Sequence, residues 1–158
     1  MRAVRAVMDQ ELAAGKELAT VLALVRRRGG GLVNVGHGRD PVSSAAATAF
    51  LSTWDGGVGE VVSWPAEAAS WLRQACRFTG GAPDVWVVAD AAQAWSGMAR
   101  RLAATPGWRP ARTVAFGGLA CPDLPALVGF DATEGISGAT TDGSEWTFFD
   151  GELRVSWS

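Results

Sequence analysis

GGGLVNVGHGRDPVSS (residues 29–44) sets four signals in a row: three glycines, the apolar run LVNV, a Gly36-His37-Gly38 joint, and the pair Asp40-Pro41. Consecutive glycines end a helix, because glycine reaches left-handed dihedrals without a steric penalty. A short apolar run rich in β-branched residues is the pattern of a strand buried on both faces. Asp40 is placed as an N-cap, and Pro41 falls at the first helical position, where its missing N–H costs nothing. The stretch therefore predicts a helix end, a buried strand, a sharp turn and a helix start. The chain's only histidine, His37, stands at the turn.

The same rhythm extends outward in both directions. Residues 3–27 predict an amphipathic helix, with Val4, Val7, Met8, Leu12, Leu18, Val21, Leu22 and Val25 at helical spacing. Arg26-Arg27-Arg28 complements the negative end of its dipole. After the opening strand at 31–36 come a helix over 40–54, a strand over 59–64, and a helix over 65–78 that Pro65 opens and Gly80-Gly81 stops. A strand over 83–90, a helix over 91–105, and strands over 111–118 and 132–140 follow. Residues 145–157 alternate about Asp150-Gly151, a type I′ hairpin signal. Strands alternating with helices through short joints imply right-handed crossovers and a parallel sheet. The expected fold is α/β: a doubly wound, mostly parallel five-stranded sheet of order 2-1-3-4-5. Within a single domain over 1–158, an N-terminal helix covers 1–28, the βα core 31–140, and a C-terminal β-hairpin 144–157.

Composition narrows the function classes. A chain of 158 residues fits one domain that buries roughly 70% of its unfolded surface. A formal net charge of −2 offers no electrostatic capture of nucleic acid or of an anionic membrane. No apolar run is long enough to span a bilayer. Arg2 and Arg5 are followed by Asp9, Glu11, Lys16 and Glu17, which break up any signal-peptide core, so a cytoplasmic location is expected. Cys76 and Cys121 then count as reduced thiols, and neither a metal site nor a cofactor is expected.

In an open α/β sheet, ligands sit beyond the carboxyl ends of the strands, where helix starts present unpaired N–H groups. In this sequence that rim consists of His37, Arg39 and Asp40, Ser63 with Trp64, Asp90 with Ala91, and Gly117-Gly118. A ligand carboxylate or phosphate would suit the glycine joints, and a ligand amine would suit Asp90. Each residue also has an ordinary structural role: Gly36 and Gly38 turn the chain, Asp40 and Asp90 cap helices, and His37 ends a strand.

Three motifs resemble known families. VGHG and QACR (residues 74–77), with His37 and Cys76 39 residues apart, resemble the caspase His-Gly and Gln-Ala-Cys-Arg elements. That chemistry needs the cysteine at a strand end, whereas Cys76 falls in a helical pattern with Trp71, Leu72, Ala75 and Phe78, and Phe78 replaces the expected glycine. Residues 59–91 resemble the nucleophile region of β-ketoacyl synthases, in which a cysteine opens the helix. Trp64 and Pro65 hold those positions here, so the resemblance implies a subunit without condensation chemistry.

The third resemblance spans residues 31–140. RDPVSSAAATAFLSTW after a strand, then PDVWVVAD, a helix closing at GW, a strand closing at GG, PDLPALVG and EGISGAT, is similar to the type I periplasmic-binding-protein fold in its Leu/Ile/Val-receptor branch. The resemblance implies one lobe of a small-molecule receptor, with ligand-facing positions at His37, Arg39, Asp90 and Gly118. Receptors of this kind close two lobes around a ligand, so a single lobe calls for a second subunit or a partner protein.

The leading expectation is therefore a non-catalytic domain for small-molecule sensing or protein interaction, with a homodimer as one way to complete the cleft. The alternative is a hydrolase or acyl-transfer enzyme using His37 with Asp40, Asp90 or Cys121. An assembly subunit, with Trp146 and Trp157 facing outward from the hairpin, is the third expectation.

Overall fold

The computed structural model describes residues 2–156. Five parallel strands, β1 (Leu32–Gly38), β2 (Gly57–Trp64), β3 (Val85–Ala89), β4 (Thr113–Ala115) and β5 (Ser137–Ala139), are joined by an antiparallel hairpin of β6 (Glu145–Phe149) and β7 (Glu152–Ser156). The sheet runs β2-β1-β3-β4-β5-β6-β7. This is the expected 2-1-3-4-5 order with the hairpin appended, so the continuous sheet has seven strands. The hairpin turn places Asp150 at φ 54° and Gly151 at φ 75°, the pair of positive values that a type I′ turn requires.

Helices cover both faces. On one side α1 (Arg2–Arg27) and α2 (Pro41–Thr53) pack Val21, Leu22, Val25 and Phe50 onto Val33, Val35, Val85, Val87 and Val114. On the other, α3 (Leu72–Phe78), α4 (Ala92–Ala103) and α5 (Leu124–Val128) join Phe78, Trp95, Met98, Leu102 and Leu124 to Val62, Trp64, Trp86 and Val88. Side chains alternate across a strand, so β1 and β3 need an apolar residue at nearly every position. Val33, Val35, Val85, Val87 and Val88 are all fully buried.

Several boundaries differ from the expected ones. The helix expected over 65–78 begins only at Leu72. Before it, the Trp71 indole Nε1 donates to the Pro65 carbonyl at 3.0 Å, and the Ser70 hydroxyl accepts from the Leu72 amide at 3.1 Å. These bonds satisfy the chain in a loop conformation instead. Cys76 does lie on α3, as expected, but on its exposed side. β1 runs on through Gly38, so His37 is a strand residue and not part of a turn. β4 and β5 are each shorter than expected, because the chain turns into a short 3-10 segment (Gly117–Leu119) soon after Ala115 and leaves another (Phe130–Ala132) shortly before Ser137. The outward-facing Trp146 is also corrected: it is 1% exposed and packs edge-on against Phe148. Its cross-strand neighbour Gly138 leaves room for the indole. Trp157 lies outside the described residues.

Two glycines give opposite expectations for the same substitution. A Cβ on Gly36 would lie 2.3 Å from the Trp64 ring and 2.8 Å from Phe78, so Gly36→Ala should destabilise by about 1–3 kcal/mol through overpacking. Gly15, within α1, has nothing within 4 Å of such an atom, and Gly15→Ala should stabilise by about 0.5–1 kcal/mol. Urea unfolding of both variants checks the pair of signs.

Candidate functional site at the carboxyl edge

Helix α1 runs antiparallel to the strands. At its end Arg28 donates to the Ala111 carbonyl and, at 2.7 Å, to the Ser137 hydroxyl, both near where β4 and β5 begin. Earlier on the helix, Glu17 reaches the other edge, where its Oε2 accepts from the Gly117 amide at 2.9 Å just past β4. Thr20 donates to the Gly143 carbonyl at 2.7 Å. Between α1, the start of α2 and the ends of β3 and β4 lies a cleft of about 510 Å³. Val42, Ala46, Ala89, Ala91 and Phe116 supply its apolar wall; its charged side chains are Glu17, Asp40 and Asp90.

Asp90 is held most tightly. It is 4% exposed, and its two oxygens accept from the Trp64 indole at 2.7 Å and the Ala91 amide at 2.8 Å. Burial pushes its pKa above the ordinary carboxylate value, opposed by those two hydrogen bonds; Asp40 raises it further and His37 lowers it. Glu17 is also raised by burial, with the Gly117 amide opposing. Asp40 goes the other way. It caps α2 by accepting from the Ser43 amide at 3.0 Å, and that bond draws its pKa down.

The glycines of the rim follow from close contacts with Asp90 and Asp40. A Cβ on Gly38 would lie 2.4 Å from Asp90 Oδ1 and 2.9 Å from Asp40 Oδ1, and one on Gly118 would lie 2.1 Å from the Asp90 carbonyl oxygen. Only glycine lets the backbone approach so closely.

Asp40, Asp90, Gly117 and Gly118 thus share the cleft. His37, Arg39 and Ser63 lie on the β1–β2 side of the rim, outside its lining. His37 Nδ1–H donates to the Gly38 carbonyl at 2.7 Å, since a carbonyl only accepts, and Arg39 Nε donates to the Ser63 hydroxyl at 3.3 Å. Among the described residues, no hydrogen bond joins His37 to Cys121 or to a hydroxyl side chain. Asp90 does not cap α4 in the usual way, because Ala91 holds the N-cap position. Sequence reasoning missed Glu17, Val42, Ser43, Ala46, Phe116 and Thr141. Glu17 is one of several charged residues on an amphipathic helix, and nothing local reveals a partner 100 residues away.

A hollow of about 310 Å³ at the opposite edge is lined by Arg27, Arg28 and Glu145. Arg27 is already paired with Glu145, and Arg28 with Ala111 and Ser137. No group of metal-ligating side chains occurs among the described residues. None of the described helices is long and apolar enough to cross a membrane.

No protein-family model matches the chain. No curated protein matches it significantly. Solved structures do match. A protein assigned to branched-chain amino acid ABC transport in Rhodospirillum rubrum superposes with TM-score 0.68 at 20% identity, over 79% of this chain and 36% of the other. A leucine-binding protein from Thermotoga maritima gives 0.65 at 17%, over 78% and 35%. A solute-binding protein of an ABC transporter from Rhodopseudomonas palustris, in complex with p-hydroxybenzoic acid, gives 0.64 at 19%, over 80% and 35%. The chain spans about a third of the length of these structures. It has the fold of one lobe of a type I periplasmic binding protein.

The Trp64–Asp90 bond yields a titration test. Trp64→Phe removes the donor that lowers the Asp90 pKa, so NMR titration should place the Asp90 carboxyl higher still than in the parent. A carboxyl raised in the folded state binds more protons there than when unfolded. Stability therefore falls as pH rises from the unfolded value through the folded one, and the variant should lose stability over a wider pH range. An Asp90 pKa unmoved in the variant would show that the indole does not solvate the carboxylate.

Proposed function

We propose that this domain is a non-catalytic receptor lobe that takes up a small molecule bearing an amino group on an apolar body. The observation that carries the reading is the charge of the cleft: Glu17, Asp40 and Asp90 line it, and no cation does. A ligand ammonium would offset three carboxylates gathered beside an apolar wall, while an anionic ligand would face repulsion. The Gly117 amide, one of the backbone donors at the rim, is already taken by Glu17. Of the two ligand chemistries expected for the rim, the amine is the one this arrangement favours.

The fold supports a small-molecule receptor lobe, since the neighbouring structures include a leucine-binding protein and a complex with p-hydroxybenzoic acid; the preference for an amine rests on the charge of this cleft alone. The cleft is open on its outer side, and pockets of this class bury most of their ligand. A second domain or subunit would supply the missing wall.

Calorimetry with leucine, its alcohol leucinol, and the deaminated acid 4-methylpentanoate tests the charge argument. Leucine and leucinol should bind, and the acid should not. Asp90→Asn should weaken the amines by about tenfold or more, the equivalent of about 1.4 kcal/mol. Equal binding of 4-methylpentanoate, or affinities untouched by Asp90→Asn, would overturn the reading.

A further inference from the structure

The first half of α1 touches little of its own chain. Of residues 2–16 only Ala13 is even partly covered. Val4, Val7, Met8 and Leu12 are 63, 53, 62 and 62% exposed. Because α1 runs antiparallel to the strands and Glu17 already sits at the carboxyl edge, this half projects past that edge by roughly 20 Å at the helical rise of about 1.5 Å per residue. A lone helix of about this length is marginal in water and owes its persistence to packing. An apolar stripe held out in solvent is the mark of an interface.

We propose that the stripe pairs with the same stripe of a second copy, antiparallel and centred on Val7. Charge selects both partner and direction. Arg2 and Arg5 precede Asp9 and Glu11 along the exposed segment. A two-fold pairing about Val7 sets Arg5 of each copy beside Asp9 of the other, and brings the basic end of each helix against the acidic stretch of its mate. A parallel pairing would set arginine against arginine and acid against acid. The antiparallel contact is isologous, so it closes at two copies. It also turns the two carboxyl edges toward one another. The pairing is read from α1 alone and stands whether or not the cleft takes a ligand.

Sedimentation velocity of the full chain over a concentration series tests it, with circular dichroism as a control for helix content. The parent should move from monomer to dimer as concentration rises. Arg5→Asp and Asp9→Arg should each weaken the dimer by about tenfold or more, as like charges meet across the pair. The double variant Arg5→Asp/Asp9→Arg should recover most of the parent's affinity, because the opposite charges meet again. Should a single reversal also lower helix content, Val7→Gln offers a second probe: it places a polar side chain at the apolar centre of the pair and adds no charge, and should weaken the dimer by about tenfold or more. A parent that stays monomeric at every concentration overturns the proposal. So does a dimer indifferent to the single reversals, or a double variant no better than the singles.

Discussion

Coverage of the central strands on both faces is the constraint from which the rest of the molecule follows. Val33, Val35, Val87 and Val88 are fully buried, each contributing about 1.5–3 kcal/mol relative to exposure. That burial requires α1 and α2 on one side and α3 to α5 on the other. With both faces closed, the strand ends are the places where polar side chains can gather around an opening. At the amino edge the guanidinium groups of Arg28 and Arg112 are already engaged with the carbonyls of Ala111 and Asp84, and the smaller hollow there is bordered by the Arg27–Glu145 pair. The carboxyl edge retains the cleft.

The cleft is tied into the core through one bond. Trp64 is fully buried against Phe78 and Trp95, yet its indole N–H reaches Asp90 at the rim. An aromatic residue of the core therefore solvates a carboxylate of the site. Asp90 is still held at a cost, since burial raises its pKa despite two donors. A buried carboxylate with a raised pKa at the mouth of a cleft is the kind of group that the proposed ligand site would use. Glu17 repeats the arrangement from the opposite wall.

The fold was legible where local signals and burial agreed. Asp40-Pro41 announced α2 and its cap, Asp150-Gly151 announced the hairpin turn, and the uniformly apolar 85–89 run marked a central strand. The reading failed where side chains bond their own backbone, as Ser70 and Trp71 do in front of α3. It also failed for Trp146, whose place in the core depends on the cross-strand Gly138 and so on register, which a linear pattern does not carry. Of the cleft's lining, Asp40, Asp90, Gly117 and Gly118 were expected at the carboxyl edge because strand ends can be counted. Glu17 was missed because it belongs to a helix that precedes the βα rhythm and meets the rim only in three dimensions.

Ligand capture at the carboxyl edge is tested most directly by amide NMR during titration with leucine. The Ala91, Gly117 and Gly118 amides and the Trp64 indole N–H should shift together and saturate at one ligand concentration. Signals at the amino edge, from Arg28, Arg112 and Gly135, should stay in place. Movement confined to the amino edge, or none at the carboxyl edge at saturating leucine, would contradict a site built on Asp90.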